Sequence, residues 1–308
     1  MTQKLAGCKA LVTGASGFIG SALCRRLVEA GAAGHGVSRA DRTEPAGEVV
    51  WHRCALEDVT GVRALLGRVR PDLTFHLASH VAGSRAVELV LPTFHGNLSS
   101  TVNLLTAATE LGCQRLILTG SMEEPDPGPE WPVPSSPYAA AKYAASAYGR
   151  MFHALYHTPV VMLRVFMVYG PGQRDVRKLI PYVILSLLRG ETPQLSSGQR
   201  EVDWIFVDDV VDAYLAAALA EGAEGKTIEV GTGRLVSVRG VVEQLFELIR
   251  PDTKPTFGSL SDRPMEQVRA ASIEASFREI GWCAKTELRE GLRRTIDWYQ
   301  TRFNGRMR

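Results

Sequence analysis

The sequence predicts an α/β fold in which a doubly wound parallel sheet is followed by a smaller C-terminal α/β lobe. Three features carry that expectation. Short β-branched runs alternate with longer helical patterns over the first two-thirds of the chain, a glycine-rich turn joins the first run to the first helix, and the alternation breaks down after Tyr169. The 308 residues are 45% hydrophobic and 22% charged, which suits a globular chain with one large domain or two sharing a core.

Along the chain, residues 10–13 read as a strand, 18–30 as a helix and 35–38 as a second strand. Residues 61–69 read as a helix and 73–78 as a buried strand. An apolar-periodic helix at 98–111 leads to the strand 115–119, and a helix at 137–155 leads to the strand 159–166. Continuous apolar strands joined through helices indicate a parallel sheet covered on both faces. Right-handed crossovers make that sheet Rossmann-type. Beyond Tyr169 the chain is broken by Gly170-Pro171-Gly172, and a helix at 179–188 is followed by shorter elements and a last helix at 288–301. Residues 203–219 (a strand, then a helix) and 227–230 are expected to return to the first domain. The expected division is thus residues 1–168, rejoined by 203–230, and a smaller lobe over 169–308. The proline-rich stretch 125–137 is a loop leading into a helix.

A net charge of +2 gives no surface built to grip polyanions, so no nucleic-acid partner is expected. Apolar stretches are interrupted well short of the roughly 20 residues a membrane span requires. Residues 1–12 lack a long apolar stretch with a small-residue cleavage site, so neither a signal peptide nor a membrane partner is expected. The five cysteines are scattered and form no C-x-x-C, which argues against a disulfide scaffold or structural zinc and points to the reducing cytoplasm.

The turn Thr13-Gly14-Ala15-Ser16-Gly17-Phe18-Ile19-Gly20 sits between the first strand and the first helix. Glycines without Cβ atoms permit a tight turn and let a pyrophosphate approach the backbone, facing the free N–H groups of the helix start. That context points to a dinucleotide site, with a purely structural turn as the alternative. The second strand ends in Ser38-Arg39, with Arg42 close behind. A hydroxyl and a guanidinium suit a ribose 2′-phosphate, whereas a carboxylate there would bond the 2′-OH of NAD. NADP(H) is therefore preferred. Asp41 keeps NAD open, and Arg39 read as a solvated loop charge is the other alternative.

Tyr138 and Lys142 in Ser136-Pro137-Tyr138-Ala139-Ala140-Ala141-Lys142 lie one turn apart on one helix face. A free tyrosine titrates near 10, and an ammonium and an oxidised nicotinamide nearby would bring it toward the working range. Ser121, just past the fifth strand, can bond the reacting oxygen. The bland reading of Tyr138 is a half-buried helix tyrosine.

These residues resemble the extended short-chain dehydrogenase/reductase superfamily, in particular its nucleotide-sugar epimerase/dehydratase/reductase branch, over nearly the whole chain. TGASGFIG at 13–20 is similar to the cofactor loop, FHLAS at 75–79 to the fourth-strand signature and SPYAAAKYA to the catalytic helix. Asn97 resembles the family's asparagine heading a long helix. RVFMVYGPGQ at 164–173 and VDWIFVDDVVDAY at 202–214 are similar to later family segments. The resemblance implies Tyr138 as proton donor and acceptor, Lys142 on the nicotinamide ribose and Ser121 on the substrate oxygen; Glu123, or Glu124 beside it, is a further acid–base candidate. It implies cofactor contacts from Gly14, Ser16, Gly17, Phe18, Ile19, Gly20, Ser38, Arg39, Leu56, Leu77, Ala78, Ser79 and Thr119. For a nucleotide-sugar substrate, held by the 169–308 lobe, it implies His80, Met167, Arg174, Arg200 and Arg263. A homodimer formed through the helices 98–111 and 137–155 is implied as well.

Departures from the family pattern bear on the reaction. Dehydratases of the family carry Thr-Asp-Glu where this chain has Ser121-Met122-Glu123, and a thioether donates no proton. Met167 stands where the linker usually has asparagine. Val202 replaces an arginine whose diphosphate contact Arg200 or Arg174 would take over, and Ala55-Leu56 occupy the usual place of an acidic residue near the adenine, with Asp58 after them. His76 and His80, like His153 and His157, have no spacing that makes a metal site, and structural hydrogen bonding is the expected role. The expectation is NADPH-dependent reduction of an NDP-4-keto-6-deoxyhexose. A 4-epimerase with tightly bound NAD and a non-catalytic dinucleotide sensor are the alternatives.

Overall fold

The structure is a computed structural model that describes residues 2–42, 49–81, 83–126, 131–250, 252–262 and 265–306. In chain order it opens with α1 (Thr2–Leu5), β1 (Lys9–Thr13), α2 (Phe18–Glu29), β2 (Ala33–Ser38), β3 (Val49–Arg53), α3 (Val59–Val69) and β4 (Leu73–His76). A 3-10 turn at Val87–Leu89, α4 (Val90–Thr93) and a π-helical turn at Phe94–Ser99 run into α5 (Ser100–Leu111). Next come β5 (Arg115–Ser121), α6 (Pro137–Tyr156), β6 (Val160–Val165), β7 (Met167–Tyr169) and α7 (Leu179–Arg189). The chain ends with β8 (Glu201–Phe206), α8 (Val207–Leu219), β9 (Thr227–Val230), β10 (Leu235–Ser237), α9 (Val238–Ile249), α10 (Ile273–Ile280) and α11 (Leu288–Arg306).

Two compact units result. One comprises Met1–Val165, Val211–Glu229 and Glu274–Trp282; the other comprises Phe166–Val210, Val230–Ile273 and Cys283–Arg308. The first holds a seven-stranded sheet in the order β3-β2-β1-β4-β5-β6-β9, whose reversal beside β1 is the doubly wound arrangement the alternation predicts. The pairings from β3 through to β6 are parallel. Leu11, Leu116 and Met162 pack with Val62, Leu65, Leu104 and Leu105 of α3 and α5. Their strand neighbours Val12, Ile117 and Leu163 are equally buried, so both sheet faces are covered. Local chemistry starts the helices: Asp58 accepts the Thr60 N–H, and Ser136 accepts the Ala139 N–H ahead of Pro137 at the first helical position.

Several elements differ from expectation. β3 is a short edge strand whose apolar pattern is interrupted by His52 and Arg53, and pairing with β2 rather than periodicity gives it its form. The helix expected from residue 98 begins as a π turn at Phe94. α9 carries a clear apolar stripe, Val241, Val242, Leu245 and Phe246, behind a Ser237 cap, so its signal was present but not read.

The second unit contains the sheet β10-β8-β7, with β8 antiparallel to β10 and parallel to β7. Asp203 of β8 is fully buried and knits this unit together. Its carboxylate accepts the Thr232 N–H at 2.8 Å, the Thr232 hydroxyl at 2.6 Å, the Gly233 N–H at 2.8 Å and the Ala271 N–H at 3.0 Å. Asp209 similarly accepts the N–H groups of Lys285 and Thr286. Among the described residues no helix is long and apolar enough to cross a membrane. Replacing Asp203 with alanine strands the buried Ala271 N–H and the part-buried N–H groups of Thr232 and Gly233, so urea unfolding should register a loss of about 3 kcal/mol.

Candidate active site

The glycine turn leaves β1 through Gly14, whose φ of 68° is the left-handed region that favours glycine. A Cβ there would come within 2.7 Å of the Ala78 backbone nitrogen. At Gly20 a Cβ would overlap the Gly14 carbonyl oxygen, so α2 sits directly on the turn. Gly17 caps α2 without a side-chain acceptor, which leaves the first-turn N–H groups beside Ser16, Phe18 and Ile19 for an anionic guest. Leu77 and Ala78 line the turn through their own N–H groups, donated to the Thr13 carbonyl and hydroxyl. The cradle therefore fits a dinucleotide pyrophosphate.

At the end of β2, Ser38 accepts the Ala40 N–H at 3.3 Å, and Arg39 is exposed with no ion pair among the described residues. Asp41 is paired with Arg53 at 3.0 Å, and the Arg42 guanidinium lies 5.1 Å from the Trp51 ring centre. Leu56 is buried, and its carbonyl accepts the Asn103 amide at 2.9 Å.

Ser121 ends β5, and Tyr138 stands in the first turn of α6. The Tyr138 hydroxyl is near the hydroxyls of Ser121 and Ser79, which favour its ionised form. One turn on, the buried Lys142 ammonium donates to the Thr119 carbonyl at 2.8 Å and lies 5.9 Å from the Tyr138 ring centre. Ser121, Tyr138, Lys142, Thr119 and Ser79 are thus brought together. The acidified phenol expected from the sequence is not what these groups produce. Burial and, less strongly, the charges of Glu124 and Glu123 push Tyr138 up to about 12, against the pull of the Ser121 and Ser79 hydroxyls. Burial brings Lys142 down to about 8. Its ammonium is spent on a backbone carbonyl instead of the phenol oxygen.

A second layer supports this group. The Thr119 hydroxyl donates to the His76 carbonyl at 2.7 Å and lies 2.6 Å from the Tyr214 hydroxyl. His76 is buried with both ring nitrogens engaged, by Thr13 at 2.8 Å and Thr101 at 3.0 Å, the structural role its position suggested. The π turn aims Asn97 at the loop after β4: its Oδ1 accepts the Ser79 hydroxyl and the His80 N–H, and its Nδ2 donates to the His80 carbonyl.

Glu123 is partly exposed and donates its N–H to the Ser121 hydroxyl oxygen, whereas Glu124 is wholly buried. Met122 is 2% exposed and belongs to the interior. His80 is exposed, its backbone fastened by Asn97. In the second unit, Met167 is half-buried on β7 and Arg174 is exposed without a partner among the described residues. Arg200 is engaged by Glu266 at 3.0 Å and by the Gln267 carbonyl. Arg263 lies outside the described residues. Sequence reasoning offered Glu124 as an alternative acid–base to Glu123 but passed over its burial, and it passed over the Tyr214 contact. The signal for Glu124 was a second carboxylate directly behind an apolar strand.

A family model described as "NAD dependent epimerase/dehydratase family" matches residues 10–231. The chain belongs to the NAD-dependent epimerase/dehydratase family. It is an extended short-chain dehydrogenase/reductase enzyme of the nucleotide-sugar type. The UDP-glucose 4-epimerase of Mycolicibacterium smegmatis is 32% identical, over 96% of this chain and 99% of that one. The solved UDP-glucose 4-epimerase of Thermotoga maritima, with UDP-glucose, aligns at a TM-score of 0.86 and 26% identity over 96% of this chain and 99% of the other. The Bordetella bronchiseptica enzyme WbmF, in complex with NAD+ and UDP, aligns at 0.84 and 26% identity over 98% and 95%.

The buried imidazole of this family member has a consequence for acid stability. Burial, aided by the Lys142 charge, lowers His76 to about 3, so the folded chain refuses a proton that the unfolded chain accepts below about 6.5. Stability contributed by the neutral ring is complete above that pH and drains away between 6.5 and 3. The melting temperature should fall from pH 7 to pH 4, and His76→Asn should flatten that slope in a calorimetric series.

Proposed function

We propose that this enzyme moves a hydride at C4 of a nucleotide-linked hexose, acting as a UDP-sugar 4-epimerase with tightly held NAD. The convergence of Ser121, Tyr138 and Lys142 beside a phosphate-binding turn is the observation that carries the reading. Met122 turned into the interior speaks against water elimination. The UDP-glucose and UDP named for similar proteins support a uridine nucleotide, and the NAD+ named for WbmF supports the cofactor.

Gly14, Ser16, Gly17, Phe18, Ile19 and Gly20 would hold the pyrophosphate, with Leu56, Leu77, Ala78, Ser79 and Thr119 along the rest of the dinucleotide and Lys142 on its ribose. Bound there, the dinucleotide supplies the group that takes up and returns a hydride and, when oxidised, a positive charge beside the phenol. Ser121 accepts a hydrogen bond from Glu123, which leaves its own proton to donate to the sugar oxygen. Tyr138 takes the proton of the C4 hydroxyl as that carbon is oxidised and returns it on reduction. With its midpoint at about 8, Lys142 is still an ammonium at pH 7. His80, Met167, Arg174 and Arg263 are the proposed substrate contacts. Arg200 would have to leave Glu266 to join them.

A second reading, NADPH-dependent reduction of an NDP-4-keto-6-deoxyhexose, is favoured by one specific observation. Arg39 is exposed at the end of β2 with no ion pair among the described residues, while the nearby Asp41 is paired with Arg53 at 3.0 Å. Mass analysis of the dinucleotide released from purified protein separates the two. Stoichiometric NAD, with UDP-sugar interconversion needing no added cofactor, is expected. Stoichiometric NADPH consumption with a keto-sugar would replace the epimerase by the reductase. Tyr138→Phe should keep the cofactor and lose roughly 10²–10⁴-fold in turnover.

A homodimer fits the same reading. Val87, Leu91 and Phe94 are exposed ahead of α5, and Tyr148, Leu155 and Tyr156 are exposed on α6, which packs against the π turn. Leu91 is 64% and Val87 76% exposed, an apolar stretch that a second copy would cover. Sedimentation should give a dimer for the wild type and a monomer for Leu91→Lys.

A further inference from the structure

We infer that Glu124 is a positioning residue of the active site, which fixes the turn carrying Ser121 and supplies the buried negative charge that keeps Lys142 an ammonium. The inference deepens the reading of Tyr138 and Lys142 as the working pair and rests on it. Glu124 is wholly buried just beyond β5. Its Oε1 accepts the Ser121 N–H at 2.7 Å, and its own N–H donates to the Ser121 carbonyl at 3.1 Å. One residue therefore closes the Ser121 turn twice. Ser146, one turn beyond Lys142 on α6, is buried near the same carboxylate and favours its charged form. A Cβ at Gly120 would come within 2.5 Å of Oε1, so the strand side offers the carboxylate no slack.

The charge balance gives this placement its meaning. Lys142 donates to the Thr119 carbonyl, a neutral dipole that offsets only part of the cost of burying an ammonium. The titratable groups around it are Tyr138 on its own helix, His76 on β4 and Glu124 beyond β5. Of these, Glu124 favours the charged amine, while His76 is neutral. On its other side Glu124 faces Arg164 of β6 at 3.9 Å, but that guanidinium is shared with Glu229 at 3.3 Å and Asp126 at 3.4 Å. Arg164 is therefore not Glu124's alone, and the Glu124 charge also favours the Lys142 ammonium. Burial raises the Glu124 carboxyl, whereas Ser121, Ser146, Arg164 and Lys142 all pull it back.

The test reads the amine directly. Lysine labelled with ¹³C at Cε is followed by NMR across pH in the wild type and in Glu124→Gln, with the Lys142 resonance assigned through Lys142→Arg and folding checked by urea unfolding. The Lys142 midpoint near 8 should fall by about 1 pH unit in the glutamine variant, and Glu124→Asp should recover part of it. An unmoved midpoint in folded Glu124→Gln overturns the inference, because a carboxylate that only staples the turn would not tune the amine. If that variant does not fold, the wild type decides. The ¹³C-labelled Glu124 carboxyl and Lys142 must each display an inflection at the other's titration, and independent curves overturn the inference. Both measurements are made without substrate. A chain that turns over no nucleotide sugar would therefore sink the proposed activity while leaving this coupling intact.

Discussion

A buried ammonium demands that its surroundings answer its charge, and the carboxyl end of β5 is organised around that demand. Lys142 reaches across to the Thr119 carbonyl, which ties α6 to the strand in a single register. Tyr138, one turn earlier, is carried to Ser121 by the same tie. Were the ammonium to find another partner, the phenol would swing with it. The geometry of proton transfer thus follows from where one cation can be tolerated.

Around that tie the first unit converges side chains from separate elements. Thr119 joins β5 to β4 and α8, and His76 joins β4 to β1 and α5. Strand ends that would otherwise fray are held by buried hydroxyls and an imidazole. The protein groups alone leave the phenol a weaker acid than free tyrosine, so the resting site holds its proton firmly. Release of that proton is thereby coupled to the arrival of positive charge in the cleft.

Much of this was legible beforehand, and the exceptions have physical reasons. Parallel strands buried on both faces leave unbroken apolar runs, and β1, β4, β5 and β6 were visible for that reason. The glycine turn and the Tyr138–Lys142 spacing were legible because backbone approach and helix geometry restrict which residues can stand there. β3 was invisible because an edge strand with two polar residues owes its form to its neighbour. Glu124 was visible only as an acidic residue in a turn. Its burial depends on the packing of α6 and β6, which no local pattern encodes; the rise of the phenol to about 12 is owed first to the phenol's own burial and less to the Glu124 charge. Arg200 looked available in sequence, and Glu266 was too distant along the chain to suggest otherwise.

The π turn at Phe94–Ser99 also makes this helix intolerant of length change. A π turn accommodates one residue more than regular helix allows. Losing that residue would restore ordinary winding and rotate everything before it by about 100° relative to α5. Asn97 would then point away from Ser79 and His80, and the loop beneath the phenol would lose its clasp. A single deletion here would leave the hydrophobic composition of the helix almost untouched and still disarm the pocket, so divergence within this stretch should proceed by substitution, not by gain or loss of residues.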